Sequence, residues 1–241
     1  MEKRVYIGTS GYFYSGWIGK FYPPEINSKD FLLYYQQFFN TVEMNSTFYH
    51  MPKPSTIKLL KSKLKEDFKV SLKMSRIITH IKRLKDVEDE LHRFFESVSY
   101  VKDNLGVILI QLPPSLKFNT ELLKDFFVKL PKECSFAIEF RHKTWLNDFT
   151  FSILKEFNVS FVITHGDDYP FLKTETSNIV YIRLHGPKEL YASSYSKEEL
   201  ESWKSYIMEL SAKGYSVYVY FNNDFFGYAV DNALMLTKML T

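Results

Sequence analysis

The sequence predicts an α/β fold, a TIM-like (β/α)8 barrel, on three observations. Eight short apolar runs read as strands, helical hydrophobic periods fill most gaps between them, and 241 residues suits closure as one domain spanning 1–241. An open doubly wound sheet is the other way to arrange the same elements.

The elements follow in order from the switching period of hydrophobicity. Strand patterns run over Val5 to Gly8, Thr41 to Asn45, Phe68 to Lys73, Gly106 to Leu112, Ser135 to Phe140, Ser160 to Thr164, Ile179 to Leu184 and Ser216 to Phe221. Helical patterns occupy Asp30 to Phe39, Pro54 to Lys65, Val87 to Lys102, Thr120 to Leu130, Asp148 to Phe157, Lys197 to Lys213 and Tyr228 to Leu240. In the second of these, Ile57, Leu60 and Leu64 form an apolar stripe opposite Lys58, Lys61 and Lys65. Ser196 with Glu199 three residues on is a capping box ahead of the sixth. From His165 to Asn178 no helical period is present, although a parallel crossover of about a dozen residues can be made without one. The expectation is an imperfect barrel lacking a regular helix between strands six and seven, with an open wall there.

Composition narrows the class. Hydrophobic residues at 45% and charged residues at 24% are ordinary globular values, which argues against disorder, and no apolar run reaches the roughly 18 residues of a membrane span. With the first strand pattern starting at Val5, a cytoplasmic protein without membrane partners is expected. The single Cys134 excludes an intramolecular disulfide and a cysteine-cluster zinc site. Net charge is only +3, yet Lys53 to Lys85 holds eleven basic residues against Glu66 and Asp67. That stretch reads as a solvated helix face or as a surface that tracks phosphates. Aromatics are abundant at 17%, and many fall between strands, among them Tyr12, Phe13, Tyr14, Trp17, Phe48, Tyr49, Trp145, Tyr169, Tyr191, Phe225, Phe226 and Tyr228.

In a closed barrel the active site lies at the C-terminal ends of the strands, and there the polar residues of this chain collect. Thr9 and Ser10 follow strand one, Glu43 and Asn45 end strand two, Lys73 ends strand three, and Gln111 ends strand four. Glu139, Arg141 and His142 end strand five, His165 with Asp167 and Asp168 follows strand six, Arg183 and His185 end strand seven, and Asn222, Asn223 and Asp224 follow strand eight.

These segments carry a resemblance. Gly8-Thr9-Ser10-Gly11 followed by Trp17, Gly19 and Phe21-Tyr22-Pro23, then Thr41 through Tyr49, Lys73 with Thr79-His80, and Gln111-Leu112-Pro113-Pro114 are one half of it. Glu139-Phe140-Arg141-His142 with Trp145, Arg183 with His185-Gly186, and Tyr220-Phe221-Asn222-Asn223 with Gly227, Ala229, Asn232 and Ala233 are the other. Taken in order and over nearly the whole length, they resemble the YecE-like family (domain of unknown function 72). The resemblance implies a variant of the triosephosphate-isomerase barrel and no established activity. Two departures stand out: Val107 where the family commonly has Pro, and Thr164-His165-Gly166-Asp167-Asp168 where it has an Asp near the end of strand six.

The residue types suggest chemistry as well as place. Residues two apart on a strand share a face, so Glu139 with Arg141, Glu43 with Asn45, and Arg183 with His185 each form a pair. Charged pairs in a barrel interior can be mutually neutralising, or an arginine can orient and tune a carboxylate that moves a proton. The expected catalytic set is Glu139, His142, Glu43 and His185. The expected substrate contacts are Thr9, Ser10, Trp17, Asn45, Lys73, His80, Gln111, Arg141, Trp145, Arg183, Asn222 and Asn223. Trp17 and Trp145 either seal the mouth or stack a base or sugar. No cofactor is predicted; a divalent metal, if one binds, would use Glu43, Glu139, His185 and Asp224, although Lys73, Arg141 and Arg183 would repel it.

Three functions fit this pattern. Two cationic clusters facing one cavity suit an anionic small molecule, phosphorylated or nucleotide-like, transformed by hydrolysis or by an isomerase or lyase step. Nucleic-acid binding or repair-type processing is suggested by the basic stretch beside mouth aromatics. A non-catalytic ligand-binding module would use the same residues. The oligomeric state stays open.

Overall fold

Every hydrogen-bonded strand pair is parallel, in the order β1-β8-β7-β6-β5-β4-β3-β2. The computed structural model describes residues 5–166 and 169–240. Its first half runs β1 (Val5–Thr9), α1 (Phe31–Tyr35), β2 (Thr41–Met44), α2 (Ser46–Tyr49), α3 (Pro54–Lys61), β3 (Lys69–Lys73), α4 (Glu88–Val98) and β4 (Leu105–Gln111). The second half runs α5 (Thr120–Phe127), β5 (Ser135–Glu139), α6 (Asp148–Glu156), β6 (Ser160–His165), β7 (Ile179–Leu184), α7 (Lys197–Ala212), β8 (Ser216–Phe221) and α8 (Tyr228–Leu240). This is the predicted α/β barrel, with the segment between β6 and β7 free of helix among the described residues.

The wall expected to be open is not. β6 and β7 pair from Val162 opposite Tyr181 to His165 opposite Leu184. Thr176 fastens the helix-free connection to β6 by accepting from the Phe161 N–H at 2.7 Å and donating to the Val159 carbonyl at 2.7 Å. The seam lies instead between β1 and β2, joined by a bridge of Ser10 to Glu43 and by the Gly11 N–H donating to the Glu43 carbonyl at 2.8 Å. Side chains stitch the rest of it: Asn40 accepts from Ile7 N and donates to Val5 O, both at 3.0 Å, and Tyr35 Oη accepts from Thr9 N at 2.9 Å. Gly8 is required here, because a Cβ would collide with the Thr41 carbonyl.

Several helices are shorter than their hydrophobic periods. α1 stops at Tyr35, where the Gln36 side chain turns to Lys63 and Lys65. The period over Val87 to Lys102 breaks at Ser99 into a 3-10 segment ending at Asn104, whose buried amide donates to the Phe68 carbonyl at 2.7 Å. Asn119, Asn147 and Ser196 cap α5, α6 and α7, and the Ser196–Glu199 capping box forms as expected. Short helical turns outside the predicted periods include α2 and a π-helical turn over Ile77–Ile81.

Two apolar layers hold the barrel. The outer one lies between strands and helices and includes Phe31, Phe94, Phe126, Trp145 and Phe161. The lumen is filled by Val107, Leu109, Ala137, Val162, Tyr181, Tyr218 and Tyr220. Tyr6 and Tyr218 stack there with centroids 4.5 Å apart, and the Tyr220 hydroxyl meets Thr41 Oγ1 at 2.6 Å and Ser71 Oγ at 2.8 Å. Ser71 Oγ also accepts the Val107 N–H at 3.1 Å, a bond Pro could not make. Strand alternation carries the same parity upward, so Glu43, Lys73, Gln111, Glu139, Thr164 and Arg183 sit above this plug.

Candidate functional site

The charged layer above the tyrosines centres on Arg183. Its Nε and Nη2 donate to Glu43 Oε2 and Oε1 at 3.0 and 2.8 Å, and its Nη1 donates to Glu139 Oε2 at 2.5 Å. Glu43 also accepts from Ser10 Oγ and, at 2.7 Å, from Tyr181 Oη. The other oxygen of Glu139 takes Gln111 Nε2 at 2.9 Å and an ion pair with Arg141 Nε that lies outside hydrogen-bond geometry. Both carboxylates and Arg183 are fully buried, so desolvation makes each charge costly and the mutual pairing offsets it. Burial would raise the Glu139 pKa, but Arg183, Arg141, His185 and Lys73 outweigh it and hold the group well below the usual carboxylate range. Arg183 is desolvated too, yet Glu43 and Glu139 keep it firmly charged.

Above this lattice opens a cavity of about 940 Å3. Lys73, Arg76, Arg141 and Arg183 line it together with His80, Asn45, Gln111, Asn222 and the rings of Tyr14, Phe48, Tyr49, Tyr169 and Tyr191. Among the described residues the lining has no Asp or Glu. Lys73 is 8% exposed, its Nζ lies 4.0 Å from the centre of the Phe48 ring, and it has no ion-pair partner among the described residues. Desolvation and then Arg183 pull its pKa down to about 8. His80 is lowered to about 4, first by burial and then by Lys73 and Arg76, and its Nδ1 is held by Thr79 Oγ1 at 2.9 Å. The Arg141 guanidinium lies 3.7 Å from the centre of the Tyr169 ring, and Tyr169 Oη meets Tyr191 Oη at 2.7 Å. Tyr191 is held at φ 64°, a strained left-handed conformation for a tyrosine, at this rim.

The expected site residues divide by where the fold puts them. Lys73, His80, Gln111, Arg141, Arg183, Asn45 and Asn222 face the cavity. Ser10, Glu43, Glu139 and His185 lie beneath it; His185 is buried, its ring between Tyr169 and Tyr191 and its Nδ1 3.1 Å from Asn222 Nδ2. Burial, then Arg183, drives the His185 pKa well below its ordinary value.

Five of the expected residues lie outside the cavity lining. His142 caps the turn over Lys143–Trp145, its Nδ1 accepting from Thr144 N at 3.2 Å, and does not line the cavity. Trp17 and Trp145 are sealed in the core rather than offered for stacking: the Trp17 indole donates to Asp224 Oδ1 at 2.8 Å, and Trp145 stacks on Phe140 and donates to the Leu116 carbonyl at 2.7 Å. Thr9 is tied to Gly11 O and Tyr35 Oη, and Asn223 to Ser193 O and Asn232 Oδ1, both fully buried. The conditional metal set of Glu43, Glu139, His185 and Asp224 is not gathered either: among the described residues no three His, Cys, Asp or Glu converge, and Arg183 stands between the two glutamates.

Other expectations find different settings. His165 hydrogen-bonds Tyr195 Oη at 2.9 Å outside the cavity lining, while Asp167 and Asp168 lie outside the described residues. Near the end of strand six, where this chain departs from the family's Asp, Thr164 Oγ1 is buried without a hydrogen-bond partner. The basic stretch mostly spends its charges nearby. Lys58 lies over Tyr100, Lys61 binds Asn104, Lys65 binds the Gln36 carbonyl, and Lys82 pairs with Glu90, so Lys73 and Arg76 are its members at the mouth. Arg76 escaped sequence analysis because it lies beyond the end of a strand pattern, in a lysine-rich segment that gives it no distinction.

Fold and site together define a parallel α/β-barrel protein with a cationic mouth over a buried lattice of arginine and glutamate. The family model described as "Protein of unknown function DUF72" matches residues 6–241, and the chain belongs to that family. UPF0759 protein YunF of Bacillus subtilis is 26% identical to it over a 270-residue alignment covering 98% of this chain and 94% of that protein. UPF0759 protein YecE of Escherichia coli K12 is 29% identical over 109 residues, 45% of this chain and 40% of that protein. The crystal structure of a DUF72 family protein from Thermotoga maritima superposes with a TM-score of 0.86 at 31% identity, covering 98% of each chain. One from Enterococcus faecalis, 20% identical and covering 98% of this chain and 95% of its own, shares the fold with a TM-score of 0.85. Among the described residues no helix is long and apolar enough to cross a membrane.

Proposed function

We propose that the barrel mouth binds a small anionic molecule, phosphorylated or carboxylated, and acts on it by proton transfer. One observation carries this reading: four cationic side chains line the cavity, and no carboxylate does among the described residues. An anion would meet Arg141 as a fork-shaped donor and Lys73 as a point charge, with the buried Arg183 adding positive charge from beneath, and the half-closed cavity would strengthen each contact by excluding water. Glu43 and Glu139 then serve as positioning residues that fix Arg183, since every oxygen they offer already accepts a donor or pairs with a cation. Proton transfer falls to lining groups: Lys73, with its pKa near 8, and His80, a neutral imidazole at pH 7.

Calorimetric titration with inorganic phosphate and then with a panel of phosphorylated and carboxylated metabolites tests this. Binding should weaken about tenfold or more in Arg141→Met, and turnover of the best ligand should be measurable by product analysis. No binding at millimolar ligand and low salt would sink the anion-site reading; retention without turnover would reduce the protein to a binding module.

A further inference from the structure

Lys73 differs from Arg141 and Arg183 beside it in the mouth. Arg183 and Arg141 are tied to carboxylates, whereas Lys73 Nζ lies against the Phe48 ring and holds no ion pair among the described residues. The side chain comes from the end of β3, a rigid element, and its backbone carbonyl accepts from Thr47 Oγ1 at 2.7 Å, which locks α2 over it. An amine that is desolvated, close to other cations and open to a cavity is the setting in which a lysine becomes a nucleophile.

We propose that Lys73 captures a carbonyl: its Nζ condenses with an aldehyde or ketone whose phosphate or carboxylate is held by Arg141 and Arg76. The inference rests on the anion-binding reading and names the substrate class as small anionic carbonyl compounds. The Nζ lone pair forms the new C–N bond while the carbonyl π electrons move to oxygen. One proton passes from nitrogen to that oxygen, giving a neutral carbinolamine. A second proton, taken from solvent, then protonates its hydroxyl; the C–O bond breaks, water leaves, and the nitrogen lone pair closes the C=N bond of an iminium. Atoms and electrons balance without an oxidant or reductant. His80, fixed through Nδ1 by Thr79, is the lining imidazole able to relay the proton between nitrogen and oxygen. Burial first, then Arg183, favour the neutral amine; Glu139 and Glu43, committed to the arginines, oppose them in part, and Arg141 adds a smaller push toward the neutral form.

The full chain is incubated with pyridoxal 5′-phosphate, an anionic aldehyde, reduced with cyanoborohydride, and mapped by peptide mass spectrometry. Lys73 should be labelled at least tenfold faster than the surface lysines, inorganic phosphate should protect it, and uncharged pyridoxal should label it at least tenfold more slowly. The labelling rate should rise with pH and level off above about 8, rather than continue rising toward the ordinary lysine value of 10.5. Lys73→Arg should remove the adduct. If the protein binds phosphate yet labels Lys73 no faster than its surface lysines, carbonyl capture is overturned while the anion site stands. If it binds neither phosphate nor the aldehyde, both readings fall.

Discussion

Arg183 grips Glu43 at two points across the barrel, Nε to Oε2 at 3.0 Å and Nη2 to Oε1 at 2.8 Å, from strands that are 140 residues apart in sequence. The pair is buried, and Arg183 Nη1 donates to Glu139, so three strands are cross-linked at the level where the lumen meets the mouth. This arrangement makes the carboxylates structural supports of a cationic pocket.

Replacing Arg183 by Met would leave two buried carboxylates without their shared partner. Breaking a buried pair in this way costs about 3–5 kcal/mol. Urea unfolding at pH 7 should show the loss, and stability should partly recover as the pH falls and the orphaned carboxylates protonate.

Glu139→Gln keeps the shape but removes a negative charge beneath the mouth. Arg141 and Arg183 then lie uncompensated on that side, so phosphate affinity should rise, by about three- to tenfold, while stability drops by about 1–3 kcal/mol. Unaltered or weaker phosphate binding in this variant would show that Glu139 does not restrain the charge of the site.

Sulfate keeps its charge across the neutral range, which isolates the titration of the protein. Because the Lys73 pKa is lowered to about 8, sulfate affinity should fall as pH rises from 7 to 9, as the ammonium is lost. Lys73→Met should bind sulfate more weakly and nearly without pH dependence over that interval. His80, already neutral above its pKa of about 4, should add no step near pH 6.5.

Asp224 accepts the Trp17 indole at 2.8 Å, and burial raises its pKa from 3.8 to about 6. The folded state therefore binds this proton more tightly than the unfolded chain, and stability should decline as pH rises from about 4 to about 6 and then stay at the lower level. Asp224→Asn keeps an acceptor for the indole and removes the ionisation. It should raise stability at pH 7 by on the order of 1 kcal/mol, after solvent screening of a partly exposed group, and flatten the pH profile between 4 and 6 in thermal unfolding.

The strands, their parity and the collection of polar residues at one end of them follow from the sequence alone, because alternation and strand length are local properties of the chain. The presence of Lys73, Gln111, Arg141 and Arg183 at one mouth was legible for that reason. Which strand ends stay open to a ligand depends on contacts between distant segments. Glu139 is consumed by an arginine 44 residues away, Trp17 is capped by Asp224 207 residues away, and the barrel seam falls at β1 and β2 where Gly8 meets Thr41. Burial and charge pairing arise only when the barrel closes, so only the tertiary structure turned a rim of mixed acids, imidazoles and indoles into a cavity lined by cations.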